Sequence, residues 1–267
     1  MQIVVNGAAE APPDSKPLPS QGSYYPNALT CLGCDALNPP LAELLSRYYQ
    51  LQGQWLIASP IHWEATHNDA MIVAVDEMLE LDDKESRRWF AVITEFLNTS
   101  GIETFYHDAY TWLLKIDDQP AINSKSVYKI LHQSLMPTLA ALDKELFWQR
   151  FITELQMFLS SHPLNNQRQS KLTINGLWLW GEGEFKPTRK EPLFTDDEIL
   201  LKSVKQAQPV PSSLIFPKNS LLLIKYPHHI DIASLREKTQ KKSVQWYWNN
   251  LAYSQPSIKW WVRLWRS

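Results

Sequence analysis

Two cysteines in 267 residues are too few for a disulfide framework to organise the chain. The pair stands alone as Cys31-Leu32-Gly33-Cys34. With seven histidines and no second CxxC or HxxxH, a zinc site of standard spacing has no second half, and a thioredoxin-like redox pair has no secure βαβ setting. A net charge of −2 gives no global reason to bind nucleic acid or an acidic membrane. No apolar run approaches a membrane span. Met1–Gly7 lacks the basic lead and length of a secretory signal. The expectation is a cytoplasmic protein whose two thiols stay reduced near a turn. No internal repeat is present.

A hydrophobic fraction of 44% in a chain of this length supports a sizeable core, as one large domain or two joined subdomains. Helical spacing predicts helices over residues 39–49, 82–98, 125–135 and 143–161. Asp82 or Asp83 caps the second, and Trp89, Phe90, Ile93, Phe96 and Leu97 form its buried face. Apolar runs predict a first strand at Ile3–Val5 and further strands at 55–59, 70–75, 174–180 and 220–226. The strand from Trp55 is expected to end at Pro60, and a hairpin to join 102–105 to 110–116 through His107 and Asp108. Pro, Ser and Gly predict a surface loop or flexible arm over 8–26, and five prolines break any long element over 184–217. The resulting fold class is α/β, a mixed sheet flanked by helices.

Two stretches carry donor chemistry. The first, IHWEATHND, offers His62, Glu64, His67 and Asp69, with His62, His67 and Asp69 as candidate ligands of a divalent metal, against local hydrogen bonding within the loop. His228, His229 and Asp231 form a second candidate set. The other stretch runs from Phe151 to Gly183. There a helix stops at Pro163, a polar loop supplies His162, Asn165, Arg168 and Lys171, and an apolar strand opening near Asn175 ends in Gly181 and Gly183. Arg168 is the candidate anion ligand, because its planar fork holds two phosphate oxygens at once, with Asn165 and Lys171 adding donors. The alternative role for Asn165 and Arg168 is to tie the helix end to the strand.

ELQMFLSSHPLNNQR followed by INGLWLWGEG resembles the shared core of the RpfE-type regulatory proteins and of archaeal-type cofactor-independent phosphoglycerate mutases, members of the alkaline phosphatase superfamily. In the mutases a similar HPxNxxR, an Asn and a WLWGxG run lead out of a domain inserted into the catalytic one. WLIASPIHW is also similar to the RpfE type, so the resemblance runs from about Trp55 to Gly183. It implies a phosphatase-like and phosphoglycerate-mutase-like scaffold in degenerate form. The expected organisation is a strand, loop and helix over 1–54, the mutase-like core over 55–183, and a Pro-rich linker with a C-terminal segment over 184–267.

A mutase of that superfamily needs a Ser or Thr nucleophile and two divalent metals held by Asp and His. No counterpart of the N-terminal Asp-Gly region or of the late metal motifs stands in this chain. The expected function is therefore a non-catalytic regulatory or ligand-binding protein, with no cofactor and with a small anion or a protein as partner. The alternatives are a metal-dependent phosphoryl-transfer enzyme using the His62–Asp69 loop, and an interaction module using the C-terminus. There, residues 236–267 carry +6 against −8 for the rest, and Trp246, Tyr247, Trp248, Tyr253 and Trp260 interleave with the cations. Core packing is the expectation for those aromatics, ahead of nucleic-acid stacking.

Overall fold

The computed structural model describes residues 1–256. They form two compact units, one of Leu37–Glu184 and one of Met1–Ala36 together with the chain from Phe185 onward. The second unit begins with β1 (Gln2–Val5), whose Ile3, Val4 and Val5 are wholly buried. The following stretch is less loose than its Pro and Ser content suggests. It holds β2 (Lys16–Leu18) and α1 (Tyr24–Cys31). Pro26 is no breaker, because it sits in the first helical turn, where a backbone N–H has no helical acceptor to lose.

The Leu37–Glu184 unit opens with α2 (Leu41–Tyr49). It continues through β3 (Trp55–Ala65), β4 (Ala70–Val75), α3 (Asp83–Asn98), β5 (Thr104–Tyr106) and β6 (Trp112–Lys115). The short helices α4 (Val127–Ile130) and α5 (Met136–Ala140), the long α6 (Phe147–Ser160) and β7 (Gly176–Trp180) complete it. Its five strands are all antiparallel, with β3 at the centre. β7 pairs with one edge of β3, and the other edge is shared by β6 as far as Ala58 and β4 from Ile61. The expected stop at Pro60 is thus corrected: β3 runs through it, at the point where that edge changes partner. Gly181 ends β7 at φ +84, where a Cβ would lie 2.9 Å from the Ile57 side chain.

The helix expected over 125–135 is also corrected to the single turn α4. His132 takes a left-handed φ of 59°, and the chain that follows pairs with β4 through His132 N to Ile72 O (2.9 Å) and Leu135 N to Ala70 O (2.8 Å). Tertiary pairing overrides helical spacing there. α3 matches its expected span and cap, with Asp82 accepting from Glu85 N at 2.8 Å; of its expected buried face, Trp89, Ile93 and Leu97 are buried, and Phe90 and Phe96 are only half-buried.

From Phe185 the chain adds β8 (Leu193–Thr195), α7 (Glu198–Ser203), β9 (Ala207–Pro209), β10 (Leu221–Ile224), α8 (Ile232–Thr239), β11 (Val244–Tyr247) and β12 (Ala252–Gln255). The sheet runs β2-β12-β11-β1-β10-β8-β9. The five strands from β11 to β9 are parallel, and β12 and β2 are antiparallel, so this is the mixed sheet. Ile3, Leu222, Ile224, Trp246 and Tyr253 pack in its core. Thus the 220–226 strand lies in a different sheet from those at 55–59, 70–75 and 174–180, and the fold class is α/β with helices flanking the sheets.

Topology selects one edge of the mixed sheet. β8 leads through α7 outward to β9, whereas β10 leads through α8 past β1 to β11. Right-handed crossovers place helices that travel in opposite directions on opposite faces, so the chain diverges at the carboxyl ends of β8 and β10.

Candidate functional site

Three strands deliver polar residues to that divergence: β1 exits into Asn6, β8 into Asp196 and Asp197, and β10 into Lys225 and Tyr226. The Asp196 carboxylate accepts from the backbone N–H groups of Lys225 (2.6 Å) and Tyr226 (3.0 Å). Asp197 is 1% exposed; its Oδ1 caps α7 at Ile199 N (2.9 Å) and stands 3.8 Å from Lys225 Nζ. Burial raises this carboxyl above its usual range, and the Lys225 charge opposes that rise. Lys225 Nζ also donates to the Tyr25 hydroxyl at 2.7 Å. Burial, then the Asp197 charge, push the enclosed Tyr24 hydroxyl well above its ordinary value. Asn6 donates to Lys225 O (3.2 Å) and accepts from the Asn249 amide (3.1 Å). In this cluster an ammonium faces a buried carboxyl, and Asp197 Oδ2, the Tyr24 hydroxyl and Asn249 Oδ1 are enclosed without a hydrogen-bond partner among the described residues.

The polar loop in the other unit is more completely committed. Arg168 is 4% exposed, and Nε donates to Leu172 O at 2.6 Å, Nη1 to Glu85 and Nη2 to Leu79 O. Asn165 donates to Leu159 O (2.9 Å) and Ile174 O (3.1 Å) and accepts from Ile174 N (2.9 Å). Asn175 makes both bonds with the Trp63 backbone, at 2.9 and 2.8 Å. His162 accepts from Leu164 N (3.2 Å), and its ring packs on Trp89 and Phe158. Lys171 Nζ donates to Glu80 O at 2.9 Å and lies 4.0 Å from Glu85. Arg168 and Lys171 therefore converge on Glu85, while Asn165 and Asn175 fasten backbone around the start of β7.

The IHWEATHND loop proves to be a β-hairpin, since β3 continues to Ala65 and β4 starts at Ala70. His62 Nδ1 lies 2.9 Å from Thr173 O, and Nε2 is 4.0 Å from Glu64. His67 is exposed in the turn. Asp69 accepts from Ala70 N (2.7 Å), and hydrogen bonds, first from the Ser134 side chain and then from Ala70 N, hold its carboxyl below the usual range. Among the described residues, no three of His, Cys, Asp and Glu converge so as to hold a metal. His228 and His229 sit side by side in a single 3-10 turn of the other unit, ring centroids 4.1 Å apart. Cys31 and Cys34 are free thiols, pushed up to about 12 and about 11 by burial.

The C-terminal aromatics divide at residue 256. Trp246, Trp248 and Tyr253 are buried, and the two indoles stack at 6.3 Å under the Arg236 guanidinium. They are core side chains. Trp260, Trp261 and Trp265 lie outside the described residues.

No protein-family model and no curated protein matches the chain. Among solved structures it is similar to the cofactor-independent phosphoglycerate mutase from Thermoplasma acidophilum DSM 1728. The identity is 12% and the TM-score 0.36, over 95% of this chain and 88% of that one.

Sequence reading missed the Asp197–Lys225–Tyr25 cluster. Its signal was present as TDD directly after one apolar run and IKY after another, but only the parallel pairing of β8 with β10 joins them. It also missed a cavity of about 330 Å³ lined by Glu43, Ser46, Gly53, Trp55 and Glu182.

Proposed function

We propose that the chain is a non-catalytic regulatory or ligand-binding protein of the RpfE type, built on a degenerate phosphatase-like scaffold. The observation that carries this reading is the state of the carboxylates at the carboxyl ends of the parallel strands. A two-metal phosphoryl-transfer centre needs such groups free to ligate cations that stabilise the attacking and leaving oxygens. Here Asp196 is spent on two backbone N–H groups, and Asp197 faces the Lys225 ammonium and caps a helix. Asn6, an amide rather than an acid, stands at the end of β1.

The test is elemental analysis of purified protein, with hydrolysis of p-nitrophenyl phosphate and interconversion of 3- and 2-phosphoglycerate measured in added Mg²⁺ and Mn²⁺. The expected result is substoichiometric metal and turnover no faster than buffer. Stoichiometric metal together with phosphoryl turnover that Asp197→Asn abolishes would establish the enzyme and end this reading.

A further inference from the structure

The cavity of about 330 Å³ is lined only by residues of the Leu37–Glu184 unit, at the end of its sheet where β3 begins and β6 and β7 finish. α2 crosses that end, with Ala42 N donating to Gly181 O at 3.2 Å, and Glu43 and Ser46, one turn apart, meet the cavity from the helix. Ile116 N donates to Gln54 O (2.8 Å) and so draws the exit of β6 onto the approach to β3. Ser46, Trp55 and Ile116 are buried and make the floor, whereas Gly53, Gly183 and Glu184 are exposed at the rim. The Trp55 indole N–H is committed to Gln52 O at 3.0 Å, which leaves its carbon surface for the cavity.

The charge on this wall has one sign. Glu43, Glu182 and Glu184 line the cavity, and no Lys, Arg or His does. Glu43 is bonded along α2 to the exposed Arg47. Glu182 Oε1 accepts from Ser124 N at 2.7 Å, which fixes the carboxylate, while Oε2 is enclosed with no hydrogen-bond partner among the described residues. A carboxylate oxygen shut from water without a donor is costly, and a donor cation in the cavity relieves that cost. The lining selects the kind of cation. Ca²⁺ or Mg²⁺ takes several oxygens at about 2.0–2.6 Å, and no three His, Cys, Asp or Glu side chains converge in that way among the described residues. The space is that of a small molecule, and a floor of indole and aliphatic carbon suits methylenes and the face-on approach of an ammonium.

We propose that this cavity binds a short aliphatic polyamine, with an ammonium at Glu182, further ammonium charge among Glu43 and Glu184, and methylenes on Trp55 and Ile116. The site lies in a different unit from the strand ends of the mixed sheet and uses none of their residues, so either reading can fail without the other.

The test is titration of the full chain with putrescine and spermidine at about 0.15 M NaCl, where loose surface pairing is screened, followed by calorimetry and by the amide shifts of the glycines. The expected result is saturable one-site binding that shifts Gly53 and Gly183 at the rim and leaves Gly7 and Gly33 unmoved. Butane-1,4-diol, of like shape without charge, should not bind. Glu182→Gln keeps an oxygen for Ser124 N and should weaken polyamine binding at least about tenfold with an unchanged melting temperature. Should that variant melt below wild type, Glu184→Gln, altered at the exposed rim, carries the same expectation of weakened binding. Absence of rim-glycine shifts with both amines overturns the proposal. So does equal affinity in wild type and the variant that melts normally, equal binding of the diol, or stoichiometric Mg²⁺ that displaces putrescine, which would mark a metal site instead.

Discussion

Replacing Arg168 with alanine isolates what the polar loop does. The substitution leaves the Leu79 and Leu172 carbonyls without their charged donor and removes the guanidinium from Glu85, whose side chain is 19% exposed. Breaking a buried ion pair from one side costs about 3–5 kcal/mol. Glu85 keeps some solvent and has Lys171 at 4.0 Å, which places the expected loss at the lower end, about 3 kcal/mol. At ~1.4 kcal/mol per factor of ten, β7 amides should lose protection against hydrogen exchange roughly a hundredfold. Calorimetry with 3-phosphoglycerate on both proteins separates the brace from an anion seat. The brace predicts the stability loss with no binding to either protein. Wild-type stability in Arg168→Ala, within about 1 kcal/mol, would refute the reasoning, as would anion binding that only the variant lacks.

Asp82→Ala removes the α3 cap at Glu85 N and should destabilise by about 1 kcal/mol, read as a lower urea midpoint with an unchanged slope. Gly53→Ala places a Cβ at φ +90 against the Asp117 carboxylate, so it should cost more than the usual Gly-to-Ala change, at least about 1 kcal/mol; a stabilised variant would contradict this. Burial holds both thiols protonated at about pH 8, so Ellman's reagent should react slowly with folded protein and with two thiols after denaturation. Rapid reaction of the folded protein would overturn the burial argument.

Periodicity and capping carried much of the Leu37–Glu184 unit into view. Asp82 ahead of an amphipathic run, Ala70–Val75 as an apolar run, and GLWLW closed by glycine are local signals, and the structure keeps them. Where local signals failed, a distant partner had decided the outcome. Pro60 reads as a terminator because β6 and β4, which share one edge of β3, are far apart in sequence. Residues 125–135 read as a helix because the pairing of His132 and Leu135 with β4 leaves no trace in their spacing. Arg168 is conspicuous as a donor, but its acceptors come from residues 79, 85 and 172, so the sequence alone does not distinguish a recognition fork from a fastener.

The register of β1 has a consequence for synthesis. Gln2 pairs with Leu221 on one side and Gln245 on the other, so β1 has no partner on either edge until more than two hundred further residues have emerged. The Leu37–Glu184 unit is contiguous and is complete before β8 exists, whereas Ile3, Val4 and Val5 wait as an exposed apolar edge throughout. On the ribosome the inserted unit therefore folds first, and the interval before β10 emerges is when the nascent chain is most open to chaperone capture or misassembly.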